Sequence, residues 1–242
     1  MANAELAATL QSRLNLSSPP VALTLVQEPP AGVPHLDLAL PASCAFWRRA
    51  QTELFFATAA DHFHCPLGAH VMGFALPEAK MSELMAEVGR MCEVTYVREE
   101  EVPRVPRIPQ EHAGAVYGPL ASFPLTPDAV ILWTTPLQAM VLSECSGLVN
   151  WADTQSTILG RPGCAAIPQA LSREQPALSF GCVGMRMFSE APGDQFLLVL
   201  PGKLLHGLGD DLFVTLEVHR QMREYYLHRA ANLTRAGSAP SS

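Results

Sequence analysis

Two stretches of this chain follow one pattern, and each carries two cysteines. In the first, Cys44 opens Cys44-Ala45-Phe46-Trp47-Arg48-Arg49-Ala50; Phe63-His64-Cys65-Pro66-Leu67-Gly68 follows, and then Leu76-Pro77-Glu78-Ala79-Lys80. In the second, Cys164 opens Cys164-Ala165-Ala166-Ile167-Pro168-Gln169-Ala170; Phe180-Gly181-Cys182-Val183-Gly184 follows, and then Leu200-Pro201-Gly202-Lys203. An apolar run beside a proline precedes each block, Val21 to Val26 after Pro20 and Ala129 to Trp133 after Pro127-Asp128. A true internal repeat constrains the chain to two pseudo-symmetric halves, and a pseudo-twofold axis between them brings four thiols together. Matches this short also arise by chance, and the spacing from apolar run to first cysteine differs between the two blocks, so repeat and coincidence stand as alternatives.

The composition narrows the class. At 242 residues, 48% apolar and only 16% charged, the chain has ample material for one large core or two intimately packed halves, and global disorder is excluded. A net charge of −7 with no basic run argues against nucleic acid as a partner. The N-terminus lacks the basic and apolar regions of a signal peptide, and no uninterrupted apolar stretch has the ~18 residues of a membrane span, so a cytoplasmic protein with no membrane partner is expected. In that compartment six cysteines read as free thiols or metal ligands rather than disulfides.

Periodicity places the elements. Leu6, Leu10 and Leu14 share one face of a helix over 3–14, and 21–26 reads as a buried strand. A helix over 43–59 with Ser43 as its N-cap comes next, then a turn from His62 leading into a strand or short helix. After Pro77, Met81, Leu84, Met85 and Val88 form one apolar helical face, read as core or an interface. Three glutamates and three prolines between Glu99 and Pro109 mark a linker. Strands over 114–119, 129–134 and 195–200 and helices over 136–145, 202–209 and 212–230 complete the reading. The fold class is therefore α/β or α+β, a single domain over 1–235 whose halves span 15–98 and 114–210 around a linker at 99–109. A disordered tail is expected over 236–242.

Cys44, Cys65, Cys164 and Cys182 each lie at a break, before a helix or beside glycine or proline, where unpaired amides favour thiolate, the form that binds metal. Cys92 and Cys145 read as small buried hydrophobes. The four spacings match neither zinc knuckles nor ferredoxin clusters, so a site has to be assembled by the tertiary fold. His64 is the best further ligand, flanked by His62 and His70, although singly these three read as polar turn residues and a satisfied strand histidine. Arg48 and Arg186, with Gly68 and Gly184 beside the cysteines, are candidates for holding an acidic ligand. Phosphate-loop, dinucleotide-binding, nucleophile-elbow and zinc-protease motifs are missing, and no catalytic residue is assigned.

Three functions follow. The first is a cysteine-ligated metal or iron–sulfur protein, with zinc as the alternative metal and a redox or metallo-pathway accessory role. A thiol-based redox enzyme without metal is the second. The third is a small-molecule binding module for an acidic ligand. A redox partner or a small molecule is the expected partner, and the oligomeric state is left open.

At these same residues the chain resembles the domain-of-unknown-function 169 proteins of archaea and bacteria. The resemblance is carried by Pro20-Val21-Ala22-Leu23, the segment opening at Cys44, His64-Cys65-Pro66-Leu67-Gly68-Ala69, Gly118-Pro119-Leu120, Pro127-Asp128-Ala129-Val130, Gly163-Cys164-Ala165 and Cys182-Val183-Gly184-Met185-Arg186. Members commonly carry glycine where this chain has Leu67. The resemblance implies a cytoplasmic single-domain protein with cysteines at all four repeated positions, and it supplies no reaction.

Overall fold

Apolar runs between prolines become strands, and the chain returns to one sheet each time. A computed structural model describes residues 2–109, 112–145 and 158–237. In chain order the elements are α1 (Asn3–Leu14), β1 (Val21–Val26), α2 (Ser43–Arg49), β2 (Phe55–Thr58), α3 (Ala59–His62), α4 (Pro66–Val71), α5 (Glu78–Glu93), β3 (Gly114–Pro119) and β4 (Ala129–Thr134). They continue with α6 (Pro136–Cys145), β5 (Ile158–Leu159), α7 (Ala166–Arg173), β6 (Ala177–Ser179), α8 (Val183–Ser189), β7 (Phe196–Pro201) and α9 (Leu208–Gly237). Short 3-10 turns cover Glu99–Arg104, Leu120–Ser122, Gly163–Ala165 and Gly202–Leu205.

The sheet runs β2-β3-β1-β4-β7-β6-β5, antiparallel except where β5 meets β6. Its centre is the β1/β4 pair, with Ala22 opposite Val130. Outward from that pair, β1 meets β3 and then β2, while β4 meets β7 and then β6. β4 is buried along its whole length, because helices cover both faces. Side chains alternate across a strand. Ala129, Ile131 and Trp133 therefore join the layer of α2, α4 and α7, and Val130 and Leu132 join the layer of α1, α6 and α9. The first layer contains Cys44 and Cys164. The fold is thus mixed α/β, as its alternating pattern predicts.

Several local expectations change. The helix expected over 43–59 stops at Arg49, and Phe55 to Thr58 form β2 against β3 with Phe55 opposite Tyr117. Phe55-Phe56-Ala57-Thr58 is too short to outweigh the helix formers before it, and its partner strand β3 lies far along the chain. Ala42, with extended φ −157° and ψ 150°, is the N-cap of α2; Ser43 is its first helical residue, and its buried hydroxyl makes no hydrogen bond. The segment expected to be a linker forms the turn Glu99–Arg104, closed by Arg98 and Glu101. The C-terminal helix begins at Leu208 and includes residues 236 and 237; the rest of the expected tail lies outside the described residues. The Leu76-Pro77 and Leu200-Pro201 motifs do different work, the first leading into α5 and the second ending β7.

Gly202 follows β7 where the chain crosses the entrance to β4. Its amide donates to the Asp128 carbonyl at 2.6 Å, and a Cβ here would sit 2.0 Å from the Pro127 carbonyl oxygen. That oxygen is backbone and cannot swing aside. Gly202→Ala is expected to cost on the order of 3 kcal/mol, measured as a lowered urea midpoint; an unchanged midpoint would show that the crossing relaxes freely.

Candidate functional site

Four segments bring the repeated cysteines to one place. Cys44 lies in the first turn of α2, Cys65 is the N-cap of α4, Cys164 lies in the turn 163–165 that opens onto α7, and Cys182 is the N-cap of α8. α2 contacts both α4 and α8, and α4 contacts the 163–165 turn. The Cys65 sulfur accepts the Gly68 amide at 3.4 Å, and the Cys182 sulfur accepts the Met185 amide at 3.3 Å. Gly68 has a steric role as well. A Cβ there would come within 2.6 Å of the Ser43 hydroxyl and 3.0 Å of the Cys65 sulfur, so a larger residue would push α2 and α4 apart.

The thiols influence one another in every combination. Cys44 is pushed up to about 12, first by burial and then by the neighbouring Cys65 and Cys182. Burial raises Cys164 well above its ordinary value, with Cys65, Cys182 and Cys44 each adding to it. Cys65 is also raised by burial, partly offset by the Ser43 and Gly68 amides that point at its sulfur, while Glu87 and Cys182 push it upward. Cys44, Cys65 and Cys164 are thus each harder to charge because of a neighbouring site thiol as well as burial. Among the described residues no three His, Cys, Asp or Glu side chains are arranged to hold a metal ion.

All four cysteines line a cavity of about 790 Å³, within the ~300–1,000 Å³ of small-molecule sites. Its opposite wall is α5. Only Leu84 of that helix is buried, and Met81, Met85, Val88 and Met91 turn their apolar surface to the cavity. The face read as core or interface is therefore a cavity wall. Val97, Val102, Pro103 and Val105 close one side. His64 is exposed and borders the cavity, as does His70, whose pKa is lowered by burial and by Arg107. Gly184 lines it too, where a Cβ would make ordinary van der Waals contact with the Phe188 ring. Arg48 instead forms a surface ion pair with Glu190 at 3.0 Å. Arg186 donates to the carbonyls of Phe180 and Pro192, bracing α8 from outside and bordering a second, shallower depression.

His62 lies outside the site, in the core. It is fully buried, with Nδ1 2.7 Å from the Thr58 carbonyl and Nε2 3.0 Å from the Tyr117 hydroxyl. The carbonyl only accepts, so Nδ1 carries the proton and the tyrosine donates to Nε2. Sequence reasoning placed His62 in a polar turn because nothing local announces Tyr117. It also passed over Glu87, Tyr96, Arg107 and Arg161, all of which line the cavity. For Arg161 a signal existed in its position three residues before Cys164.

Fold and site together define a mixed α/β protein with a thiol-rich, apolar cavity on one side of an antiparallel sheet. The chain belongs to the domain-of-unknown-function 169 family, whose model, described as uncharacterised ArCR, matches residues 9–209. It is similar to a protein of Methanocaldococcus jannaschii named only as uncharacterised, with 25% identity over 228 residues that cover 90% of this chain and 95% of that one. No solved structure matches.

Proposed function

We propose that this protein binds an iron–sulfur cluster through Cys44, Cys65, Cys164 and Cys182 and serves a redox or metallo-pathway accessory role in the cytoplasm. The observation that carries this reading is that four cysteines from four separate segments, α2, the N-caps of α4 and α8 and the turn before α7, all line one cavity. A cluster brings its own irons and sulfides, so its thiolates stand further apart than the ligands of a single ion. Four thiols near one another without a ready single-ion geometry suit that wider span, and zinc is the less favoured occupant. The Gly68 and Met185 amides directed at two of the sulfurs are the kind of hydrogen bond that tunes cluster potential. When bound, the group would take up and release single electrons. His64, exposed at the cavity edge, is a replacement ligand of second rank. The matched strand order on either side of the β1/β4 pair supports reading the two cysteine pairs as copies of one unit.

A thiol-redox enzyme without metal is less well supported, because attack requires thiolate and burial holds Cys44 near 12. The test is anaerobic purification followed by a visible spectrum and analysis for iron, sulfide and zinc. Iron and acid-labile sulfide at ~2 or ~4 each per chain are expected. Stoichiometric zinc without colour would replace the cluster by a zinc site, and a colourless, metal-free protein that takes up neither on anaerobic reconstitution would end the metal reading.

A further inference from the structure

Beyond the thiols, the cavity lining has its own chemistry. Of the residues lining it, Glu87, Arg107 and Arg161 are the charged acidic or basic ones. Burial raises the Glu87 pKa. Neither arginine has a carboxylate within ion-pair distance among the described residues, although the surface holds several other arginine–carboxylate pairs, including Arg48 with Glu190 and Arg220 with Glu217. Arg161 is instead laid across the Tyr96 ring, 4.3 Å from its centre, and the Tyr96 hydroxyl accepts the Val183 amide at 3.0 Å. The guanidinium is thus steadied by stacking while its donors stay available. In a chain of net charge −7, two cations at one cavity stand out, although Glu87 shares the lining and Glu101 lies near enough to Arg161 to feel its charge.

The adjoining wall is apolar and adaptable. Methionine fills irregular gaps and repacks around ligands of different shape, and Met81, Met85, Met91 and Met185 all face this space. Met85 is 64% exposed, which leaves apolar surface for a ligand to cover.

We infer that the cavity binds an amphipathic organic acid, its apolar body lying along α5 and its anionic head held by Arg107 and Arg161. This names the ligand class of the same cavity, and it stands on the arginines and α5 independently of what the thiols hold. Carboxylate and phosphate both match a guanidinium fork, so the head is defined as an oxyanion.

The test is calorimetric titration of the full chain, purified anaerobically, with decanoate, decyl phosphate and decanol. The acids are expected to bind about tenfold or more tighter than the alcohol, the scale of one charge-assisted hydrogen bond. Arg107→Gln combined with Arg161→Gln should bring both acids down to the affinity of the alcohol and leave alcohol binding unchanged, which also shows that the variant is folded. The ratio of phosphate to carboxylate affinity identifies the preferred head. Equal binding of acid and alcohol, an acid preference that survives the double variant, or no binding of any of the three overturns the proposal. Iron-free protein that binds the acids upholds this inference while ending the cluster reading, and iron-loaded protein without acid preference does the reverse.

Discussion

Cys65→Ser and Cys182→Ser, each purified anaerobically, are expected to lose the visible absorption of the wild type and at least roughly tenfold of its bound iron, whereas Cys92→Ser and Cys145→Ser keep both. The contrast follows from placement. Cys65 and Cys182 cap α4 and α8 and line the cavity, and both raise Cys44 and Cys164. Cys92 lies near the end of α5 and Cys145 at the end of α6, and neither lines the cavity. Serine matches cysteine closely in shape but is a poor ligand for iron, so the variants test ligation rather than packing. Burial also raises Cys44, Cys65 and Cys164, and charging several thiols in one dry volume requires a compensating cation. Metal uptake should therefore release protons, detectable in weakly buffered solution. Iron retained in the Cys65 and Cys182 variants, or lost equally from the Cys92 control, would remove this site from consideration.

Acidification below pH 6.5 is expected to destabilise the fold through His62. This histidine is held down to about 4 by full burial, against an ordinary value of 6.5. The unfolded chain takes up the proton as pH falls through 6.5, while the native core refuses it until about 4. Over that window the unfolded state binds more protons and is favoured, so stability falls with decreasing pH. The loss reaches ~3 kcal/mol at the lower end and grows no further below it. Against a total of ~5–15 kcal/mol this is a large share. Urea midpoints measured between pH 7 and pH 4 report it. His62→Gln preserves polar reach towards Thr58 and Tyr117 without a titrating group, so its midpoint should be lower at neutral pH and flatter across the window. An equally steep dependence in that variant would assign the acid sensitivity to the carboxylates instead.

The residue sequence by itself determined the central strands. Val21–Val26 and Ala129–Thr134 are legible because central strands are largely apolar, and the prolines ahead of them fix where each begins. α1 is equally plain, since Leu6, Leu10 and Leu14 recur at helical spacing. The four cysteines could be singled out by their position at chain breaks, and so could the apolar face of α5. Tertiary structure decided what these features face. β2 and β6 are short strands that exist only because β3 and β7 offer edges, so no local periodicity announces them. The partnership of His62 with Tyr117 joins residues 55 apart. Arg107 and Arg161 look like loop cations in sequence, and only the closing of α5 over the thiols turns them towards a common cavity. Secondary structure follows from neighbours along the chain. A site is set by which surfaces the burial of apolar area brings together, and that is a property of the whole sheet and its two helical layers.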